Sequence, residues 1–169
     1  MNLEGRAVVI AQDNVDTDVL YPGPYLNVMD VETMKRYLFE GLDPSLRDQL
    51  GGGDTALVVG ENFGPGSSRE HVPQAMKAWG IQFLVGGSFA RIFGRNCLNL
   101  GLPIVTCPAA VDAAKPGSIL RLDLAAGRLA VDGTSFDVPP YPPFMRELIA
   151  AGGLVESLRR RLDATTGVV

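Results

Sequence analysis

Residues 56–79 read ALVVGENFGPGSSREHVPQAMKAW, and this stretch decides the fold. It opens with a short apolar run of strand type and continues through a glycine-rich loop into a helical segment. The apolar residues of that segment recur at spacings of three and four: Val72, Ala75, Met76 and Trp79. This periodicity predicts one buried helical face. A loop placed between a strand and a helix presents backbone N–H groups at the positive end of the helix dipole.

Similar strand and helix patterns lie on both sides of this stretch. Three further apolar runs are of strand type: residues 6–11, 81–87 and 103–108. Two more helices are expected, residues 30–41 and 88–101, with Asp30 and Ser88 as their N-caps. Strands that alternate with helices predict parallel strands joined by right-handed crossovers.

The chain changes character after residue 117. Residues 118–138 alternate apolar and polar side chains and contain Ala-Gly and Asp-Gly pairs, a pattern that predicts antiparallel hairpins. Residues 144–162 have the pattern of a helix that is broken or bent at Gly152 and Gly153. The sequence therefore predicts an α/β protein with a mixed sheet, in a single domain over residues 1–169 with a C-terminal helical tail.

The composition limits the function. Hydrophobic residues make up 46% of the 169 residues and charged residues 20%, an ordinary globular composition. The net charge of −4 argues against nucleic acid as a partner, because binding it takes a basic surface. With no long apolar run and no secretory signal, we expect a cytoplasmic protein that does not bind membranes. Cys97 and Cys107 lack any neighbouring ligand pattern, so no metal site is expected on this chain.

The glycine loop matches none of the common phosphate-binding patterns. It has neither the lysine of a Walker A loop nor the G-x-G-x-x-G spacing of a dinucleotide site. What remains is Gly66-Ser67-Ser68-Arg69 ahead of a helix. Two hydroxyls and a guanidinium suit a carboxylate, because arginine presents two parallel N–H donors to its two oxygens. The alternative is structural: either serine could be the N-cap of the helix.

Two other patterns have weaker chemical interpretations. Ser67 and His71, the only histidine, lie four residues apart and could form a nucleophile and its base, but no third residue that would orient the base is apparent. Residues 12–25, QDNVDTDVLYPGPY, carry three aspartates within six positions and partly resemble a calcium loop. They lack its glycine and its final glutamate. A turn-rich loop stiffened by prolines is the alternative.

Together, four stretches resemble one known family. They are DNVDTDVLYPGPYL (13–26), GENFGPGSSREHVPQAMKAWGI (60–81), GSFARIFGRNCLNLGLPIV (87–105) and IAAGGLVESL (149–158). In order and content they are similar to the small subunits of 3-isopropylmalate dehydratase. In that family, the swivel domain of aconitase occurs as a separate chain.

The resemblance implies a fold, an activity and a partner. The fold would be the aconitase-type swivel domain, three-layer β/β/α with a mixed sheet. The activity would be that of a hydro-lyase of leucine biosynthesis, which interconverts 2-isopropylmalate and 3-isopropylmalate, small 2-hydroxy dicarboxylates, by dehydration and rehydration. A large catalytic subunit would carry the family's [4Fe–4S] cluster. Since a shared active site opens onto the interface, the docking surface is expected to border residues 16–29 and 61–71.

The resemblance also implies roles for single residues. Ser67 corresponds to the catalytic base that takes a proton from the substrate's carbon, and Ser68 and Arg69 to residues that hold a substrate carboxylate. Asp18 corresponds to an aspartate that pairs with a histidine of the partner subunit, and Arg91 to a supporting residue. A serine hydroxyl is a very weak base unless its alkoxide is stabilised, for which helix N–H groups and nearby cations are the available means.

Asn27 and Val28 stand where the family reads the variable group of its substrate. Members that act on homoaconitate-type acids have arginine there, whereas isopropylmalate members are apolar. Asn27 provides no cation for a third carboxylate, but it also departs from the apolar pattern. The same chemistry on citramalate, dimethylmalate or a homoaconitate-type acid therefore stays open. So does a non-catalytic anion-binding swivel module, although the intact run Ser67-Ser68-Arg69 together with Asp18 favours an enzyme.

Overall fold

The computed structural model describes residues 1–166, and one mixed sheet organises them. Its strands are β1 (Asn2–Ile10), β2 (Thr55–Val59), β3 (Ile81–Gly86), β4 (Ile104–Thr106), β5 (Ile119–Asp123), β6 (Arg128–Val131) and β7 (Thr134–Asp137). The helices are α1 (Thr17–Leu20), α2 (Val31–Met34), α3 (His71–Ala78), α4 (Arg91–Asn99), α5 (Pro108–Ala113), α6 (Pro143–Ala151) and α7 (Leu154–Thr166). Short 3-10 helices occupy Gly23–Tyr25, Lys35–Tyr37 and Pro44–Gln49.

The strand order is β4-β3-β2-β1-β5-β6-β7, with a parallel half and an antiparallel half. β1 joins the halves: it pairs with β2 in parallel, Ile10 opposite Val59, and with β5 in the antiparallel sense, Asn2 opposite Asp123. All five residues of β2 are buried, as expected for a strand covered on both faces. The predicted parallel strands and antiparallel hairpins are both confirmed, including the two-residue Asp132-Gly133 turn between β6 and β7.

Two cores lie on opposite faces of the parallel strands. On one face, Leu57 and Leu84 pack with Met76 of α3 and Phe93 of α4. The other face belongs to a second cluster, which includes residues of the antiparallel strands: Ala56, Val58, Phe83, Val85, Leu120, Leu122, Leu129 and Val131. The parallel strands therefore form the middle layer between helices and the curled antiparallel half. This arrangement confirms the predicted β/β/α layers.

The predicted helix over residues 30–41 is shorter than expected. Asp30 caps α2 as predicted, and its hydrogen bonds, chiefly to the Thr33 hydroxyl, hold the pKa of its carboxyl below its ordinary value. The chain then passes through a 3-10 turn and becomes extended at Leu38, while Phe39 adopts a φ of +66°. Leu38 and Phe39 are completely buried. Burial of both side chains in the core thus overrides the local helical pattern.

The predicted N-cap of the next helix is also wrong. α4 begins at Arg91, after Ala90, and not at Ser88. Ser88 instead accepts the N–H of Asn62 through its hydroxyl at 2.7 Å and the N–H of Phe63 through its carbonyl at 3.1 Å. The side chain therefore serves a neighbouring loop rather than its own helix.

The break in the C-terminal helix is confirmed. Gly152, at a φ of +91°, ends α6, and α7 begins two residues later. Lys77 of α3 donates to the carbonyl of Gly152 at 3.0 Å and also to that of Leu100, and its partial burial lowers the pKa of its ammonium group. No helix within residues 1–166 combines the length and hydropathy that a membrane span requires. Residues 167–169 of the predicted domain lie outside the described residues.

Tyr141 ties the segment after β7 to the edge strand β4. Its hydroxyl donates to the carbonyl of Ile104 at 2.5 Å and accepts the Ile104 N–H at 3.0 Å, and burial raises the pKa of Tyr141 to about 12. Tyr141→Phe leaves both backbone groups without this partner, so we expect it to lower the free energy of unfolding by about 1–3 kcal/mol, measured by urea denaturation. Tyr37→Phe is the control, because the Tyr37 hydroxyl makes no hydrogen bond within residues 1–166. Equal losses in the two variants would contradict this role.

Candidate functional site

The site lies where three neighbouring parallel strands end. β1, β2 and β3 run in the same direction, so the loops that follow Ile10, Val59 and Gly86 leave the sheet at one edge. In open α/β sheets, ligands bind at the carboxyl ends of the strands. The first loop carries the aspartate-rich stretch and the second carries the glycine loop with Ser67.

Backbone hydrogen bonds pair the first two loops with each other. Three backbone bonds connect them: Asn14 N–H to Glu61 O at 2.8 Å, Gly64 N–H to Val15 O at 2.8 Å, and Thr17 N–H to Pro65 O at 2.9 Å. The Glu61 N–H also donates to Oδ1 of the Asp13 side chain at 2.7 Å. The third loop joins through Ser88, whose hydroxyl and carbonyl accept from Asn62 and Phe63. The irregular backbone at this edge is therefore satisfied by its neighbours.

Close packing accounts for two of the glycines in the loop. Gly64 has a φ of +87°, and a Cβ placed on it would lie 2.4 Å from Cγ of Phe93. Gly66 has a φ of +107°, and its Cβ would lie 3.0 Å from the hydroxyl of Thr17. The loop is thus held between α4 and α1 at a distance that a side chain would prevent.

Ser67 and Ser68 are exposed, and neither caps the helix that follows. α3 begins at His71, its N-cap is Glu70, and no side chain bonds to its first turn. The N-cap alternative drawn from the sequence is therefore wrong. Within residues 1–166, both serine hydroxyls and the N–H groups of Ser68, Glu70 and His71 make no hydrogen bonds, which leaves them available to a ligand.

Arg69 and Asp18 are paired with each other. Nη2 of Arg69 lies 2.6 Å from Oδ1 of Asp18, and Nη1 donates to the carbonyl of Tyr21 at 2.7 Å. The Arg69 side chain is only 14% exposed and its Nε is buried without a partner in the described residues, whereas the Asp18 side chain is 65% exposed. Because solvent screens Asp18, we expect the pair to contribute no more than about 1 kcal/mol to stability.

The other two aspartates of the first loop have local structural roles. Asp13 accepts the N–H of Glu61, and Asp16 caps α1 by accepting the N–H groups of Asp18 and Val19 at 2.8 and 3.0 Å. Nowhere in residues 1–166 do three histidine, cysteine or acidic side chains come close enough together to hold a metal ion. The aspartate-rich pattern is thus explained by capping and by pairing with Arg69.

His71 does not act on Ser67 in this arrangement. Its ring packs against Tyr21, with ring centroids 5.1 Å apart, and its Nε2 is buried without a hydrogen-bond partner in the described residues. Burial, and after it the neighbouring Tyr37, raises the pKa of Tyr21. The nucleophile-and-base pairing considered from the sequence is therefore absent here.

The remaining predicted residues lie around this centre. Asn27 is exposed, and Val28 is half-buried against the helical core. Within residues 1–166, no hydrogen bond joins either of them to Ser67. Arg91 lies on the other side of the glycine loop, where it lines a cavity of about 550 Å³ with Gly64, Pro65, Gly66, Ala90, Ile92 and Arg95.

Sequence patterns did not identify two residues that have contacts at the site. Thr17 bonds to the glycine loop, and Tyr21 supplies a carbonyl to Arg69 and a ring face to His71. Both lie about 50 positions away from their partners. Local spacing does not reveal such pairs.

Comparison with known proteins places these observations in a family. The family model of the aconitase C-terminal domain matches residues 47–109. The chain is 42% identical over 161 residues to the 3-isopropylmalate dehydratase small subunit of Halothermothrix orenii, covering 94% of this chain and 96% of that one. It is 45% identical to the 3-isopropylmalate dehydratase small subunit 1 of Methanopyrus kandleri, covering 94% and 93%. A crystal structure of 3-isopropylmalate dehydratase from Methanocaldococcus jannaschii matches with a TM-score of 0.84 and 36% identity, over 99% of both chains.

The close approach of Gly64 to Phe93 can be separated from backbone strain. Gly133 has nearly the same φ, +88°, but open space where a Cβ would go. We expect Gly133→Ala to cost about 1–2 kcal/mol of unfolding free energy, the usual penalty of a left-handed residue. Gly64→Ala should cost about 1–3 kcal/mol more, because it also overpacks against Phe93. Equal losses in denaturant unfolding would show that the loop is not held by this contact.

Proposed function

The chain belongs to the family of 3-isopropylmalate dehydratase small subunits, and from that premise we propose that it is, as one swivel domain, the small subunit of a hydro-lyase that interconverts 2-isopropylmalate and 3-isopropylmalate. The observation that carries this proposal is the likeness to named small subunits over 94% of the chain at 42% identity or more. The exposed Ser67, at the carboxyl ends of the parallel strands, supports it. The Halothermothrix orenii and Methanopyrus kandleri relatives are both named for isopropylmalate. Their names favour that substrate over citramalate, dimethylmalate or a homoaconitate-type acid, and favour an enzyme over a non-catalytic anion-binding module.

A large subunit completes the enzyme and carries its [4Fe–4S] cluster. Such a cluster is held by several cysteine thiolates, and this chain has only Cys97 and Cys107, both buried. Burial raises the pKa of the Cys97 thiol and so keeps it protonated. The ligand set of this chain therefore does not fit a cluster, whose iron would polarise the substrate's hydroxyl from the partner chain.

Ser67, having lost its own proton to solvent, takes the proton from the substrate's carbon as an alkoxide and becomes a neutral hydroxyl again. Its hydroxyl is exposed, and the unbonded N–H groups of Ser68, Glu70 and His71 lie in the same turn at the start of α3. Donors of this kind stabilise the alkoxide before it accepts the proton. Ser68 provides a further hydroxyl for a substrate carboxylate.

Arg69 holds a substrate carboxylate once Asp18 has released it. In the free chain, Asp18 occupies one side of the guanidinium and the carbonyl of Tyr21 the other. On assembly, Asp18 turns to a histidine of the large subunit, and one edge of Arg69 becomes available. The two roles inferred separately from sequence resemblance are thus coupled by one ion pair.

The large subunit covers the edge of the sheet where the site opens. Residues 16–29 and 61–71 border this surface, with Met29 79% exposed on one side. On the other side, Ile92 is 49% exposed beside the cavity that Arg91 and Arg95 line. Asn27 and Val28 face the variable group of the substrate from the first of these segments.

Reconstitution tests the proposal directly. We expect no turnover by the isolated chain, and isomerisation of 2-isopropylmalate when it is mixed with a cluster-loaded large subunit. The reaction is followed through the ultraviolet absorbance of the unsaturated intermediate. The kcat/KM for isopropylmalate is compared with the values for citramalate, dimethylmalate and a homoaconitate-type acid. A higher kcat/KM for one of these acids would identify that acid as the substrate in place of isopropylmalate. The absence of any turnover would overturn the proposed function.

The Ser67→Ala variant tests whether Ser67 is the catalytic base. In the reconstituted enzyme it should lower kcat by about 10²- to 10⁴-fold, because it removes the proton acceptor. KM should change little. Ser68→Ala is the matched control, an equally exposed serine at the next position, and it should raise KM more than it lowers kcat. Since neither serine caps α3, both variants should keep the wild-type melting temperature; a normal kcat in Ser67→Ala would exclude Ser67 as the base.

A further inference from the structure

Thr17 is a buried polar residue in the aspartate-rich first loop. It is 2% exposed, although it lies between the half-buried Asp16 and the exposed Asp18. A buried hydroxyl needs a hydrogen-bond partner. Thr17 finds that partner 50 positions away, where its Oγ1 donates to the carbonyl of Ser67 at 3.1 Å.

Thr17 holds the glycine loop at two points. Besides the hydroxyl bond to Ser67, its backbone N–H donates to the carbonyl of Pro65 at 2.9 Å. These two carbonyls flank Gly66, whose missing Cβ would otherwise lie 3.0 Å from the Thr17 hydroxyl. The Thr17 hydroxyl therefore lies where a side chain at Gly66 would be, and the glycine loop cannot shift relative to α1 without breaking both hydrogen bonds.

The carbonyl of Ser67 is fixed by this contact. It accepts a second hydrogen bond, from the N–H of Arg69 at 2.9 Å, so both of its lone pairs are used. A carbonyl held from two directions cannot rotate freely. The peptide plane that follows Ser67 is thereby set, and with it the direction in which the Ser67 side chain leaves the backbone.

Nothing else in the described residues orients the Ser67 hydroxyl. The side chain is exposed and makes no hydrogen bond within residues 1–166. Its direction therefore depends on the backbone, and the backbone depends on Thr17. The neighbouring residue of α1, Asp18, contacts Arg69 through a side-chain ion pair of 2.6 Å.

We infer that Thr17 is the positioning residue for Ser67: its hydroxyl holds the Ser67 carbonyl so that Oγ points at the substrate's carbon. The inference rests on the proposed role of Ser67 as the base. Thr17 does not touch the substrate and acts only through the Ser67 backbone. Loss of this bond therefore reduces proton transfer and leaves substrate affinity nearly unchanged. A misplacement of about 1 Å at a reacting group costs on the order of 100-fold in rate.

The test uses Thr17→Val in the enzyme reconstituted with its large subunit. Valine keeps the shape of threonine but cannot donate to the Ser67 carbonyl. We expect kcat on 2-isopropylmalate to fall about 10- to 100-fold with KM nearly unchanged. Thr17→Ser restores the hydroxyl and should recover most of the rate.

Thr55→Val is the matched control. Thr55 is also a buried threonine, 3% exposed, and its hydroxyl donates to the backbone carbonyl of Gly53 at 3.3 Å. It lies at the opposite end of β2 from the site. Thr55→Val and Thr17→Val should both lower the melting temperature, by about 2–4 °C. Only Thr17→Val should lower kcat.

The outcomes decide the inference. A normal kcat in Thr17→Val, a loss confined to KM, or the same kcat loss in Thr55→Val would overturn it while the wild-type enzyme stays active. An inactive wild-type enzyme would overturn the proposed function and this inference with it. If Thr17→Val does not fold, Thr17→Ser and Thr17→Ala differ only in the hydroxyl. If kcat is then nearly the same in Thr17→Ser and in Thr17→Ala, the inference is overturned.

Discussion

The hydrogen bonds between residues 13–17 and 61–67 are the constraint on which the candidate site depends. β1 and β2 pair in parallel up to Ile10 and Val59, so the loops that follow them start side by side, about 4.8 Å apart. Neither loop forms regular structure, and each supplies the donors and acceptors that the other lacks. The bonds satisfy both backbones while the side chains of Ser67 and Asp18 stay exposed. A fixed backbone that carries open side chains is what a site completed by a second chain requires.

The layers of the fold supply the rigidity behind this edge. β2 lies in the middle layer, with one core against the helices and the other against the antiparallel half. Its buried residues cannot move without disturbing both cores. Phe63 continues this burial into the glycine loop, where it packs against Phe93 with ring centroids 5.4 Å apart. The loop is therefore an extension of the core at Phe63 and Gly64, and it is exposed from Gly66 to Ser68.

Much of the fold follows from local patterns in the sequence. The strands, the helix at 71–78, the hairpin at Asp132-Gly133 and the break at Gly152 are all encoded by periodicity or by a residue that suits one backbone conformation. The failures share one cause, which is a tertiary contact that outweighs a local preference. Ser88 bonds to the loop beside it instead of capping α4, and burial of Leu38 and Phe39 ends the helix that begins at Asp30. For the candidate site, the sequence predicted residue types but not their pairing. Sequence patterns and family resemblance identified Ser67, Arg69 and Asp18 separately. The contacts of Asp18 with Arg69 and of Thr17 with Ser67 depend on which strands are neighbours in the sheet. No short stretch of sequence encodes that order.

If Arg69 holds a substrate carboxylate as we propose, its ion pair with Asp18 makes anion binding a competition. An incoming carboxylate finds the guanidinium already neutralised by a carboxylate of the same chain, so its net gain is the difference between two similar interactions. Because Asp18 is tethered, its effective concentration at Arg69 is set by geometry and does not fall when the surroundings are dilute. In this proposal, the ion pair protects the free chain against the many small organic acids of a cell. Arg69 becomes available to the substrate only after Asp18 has found another partner.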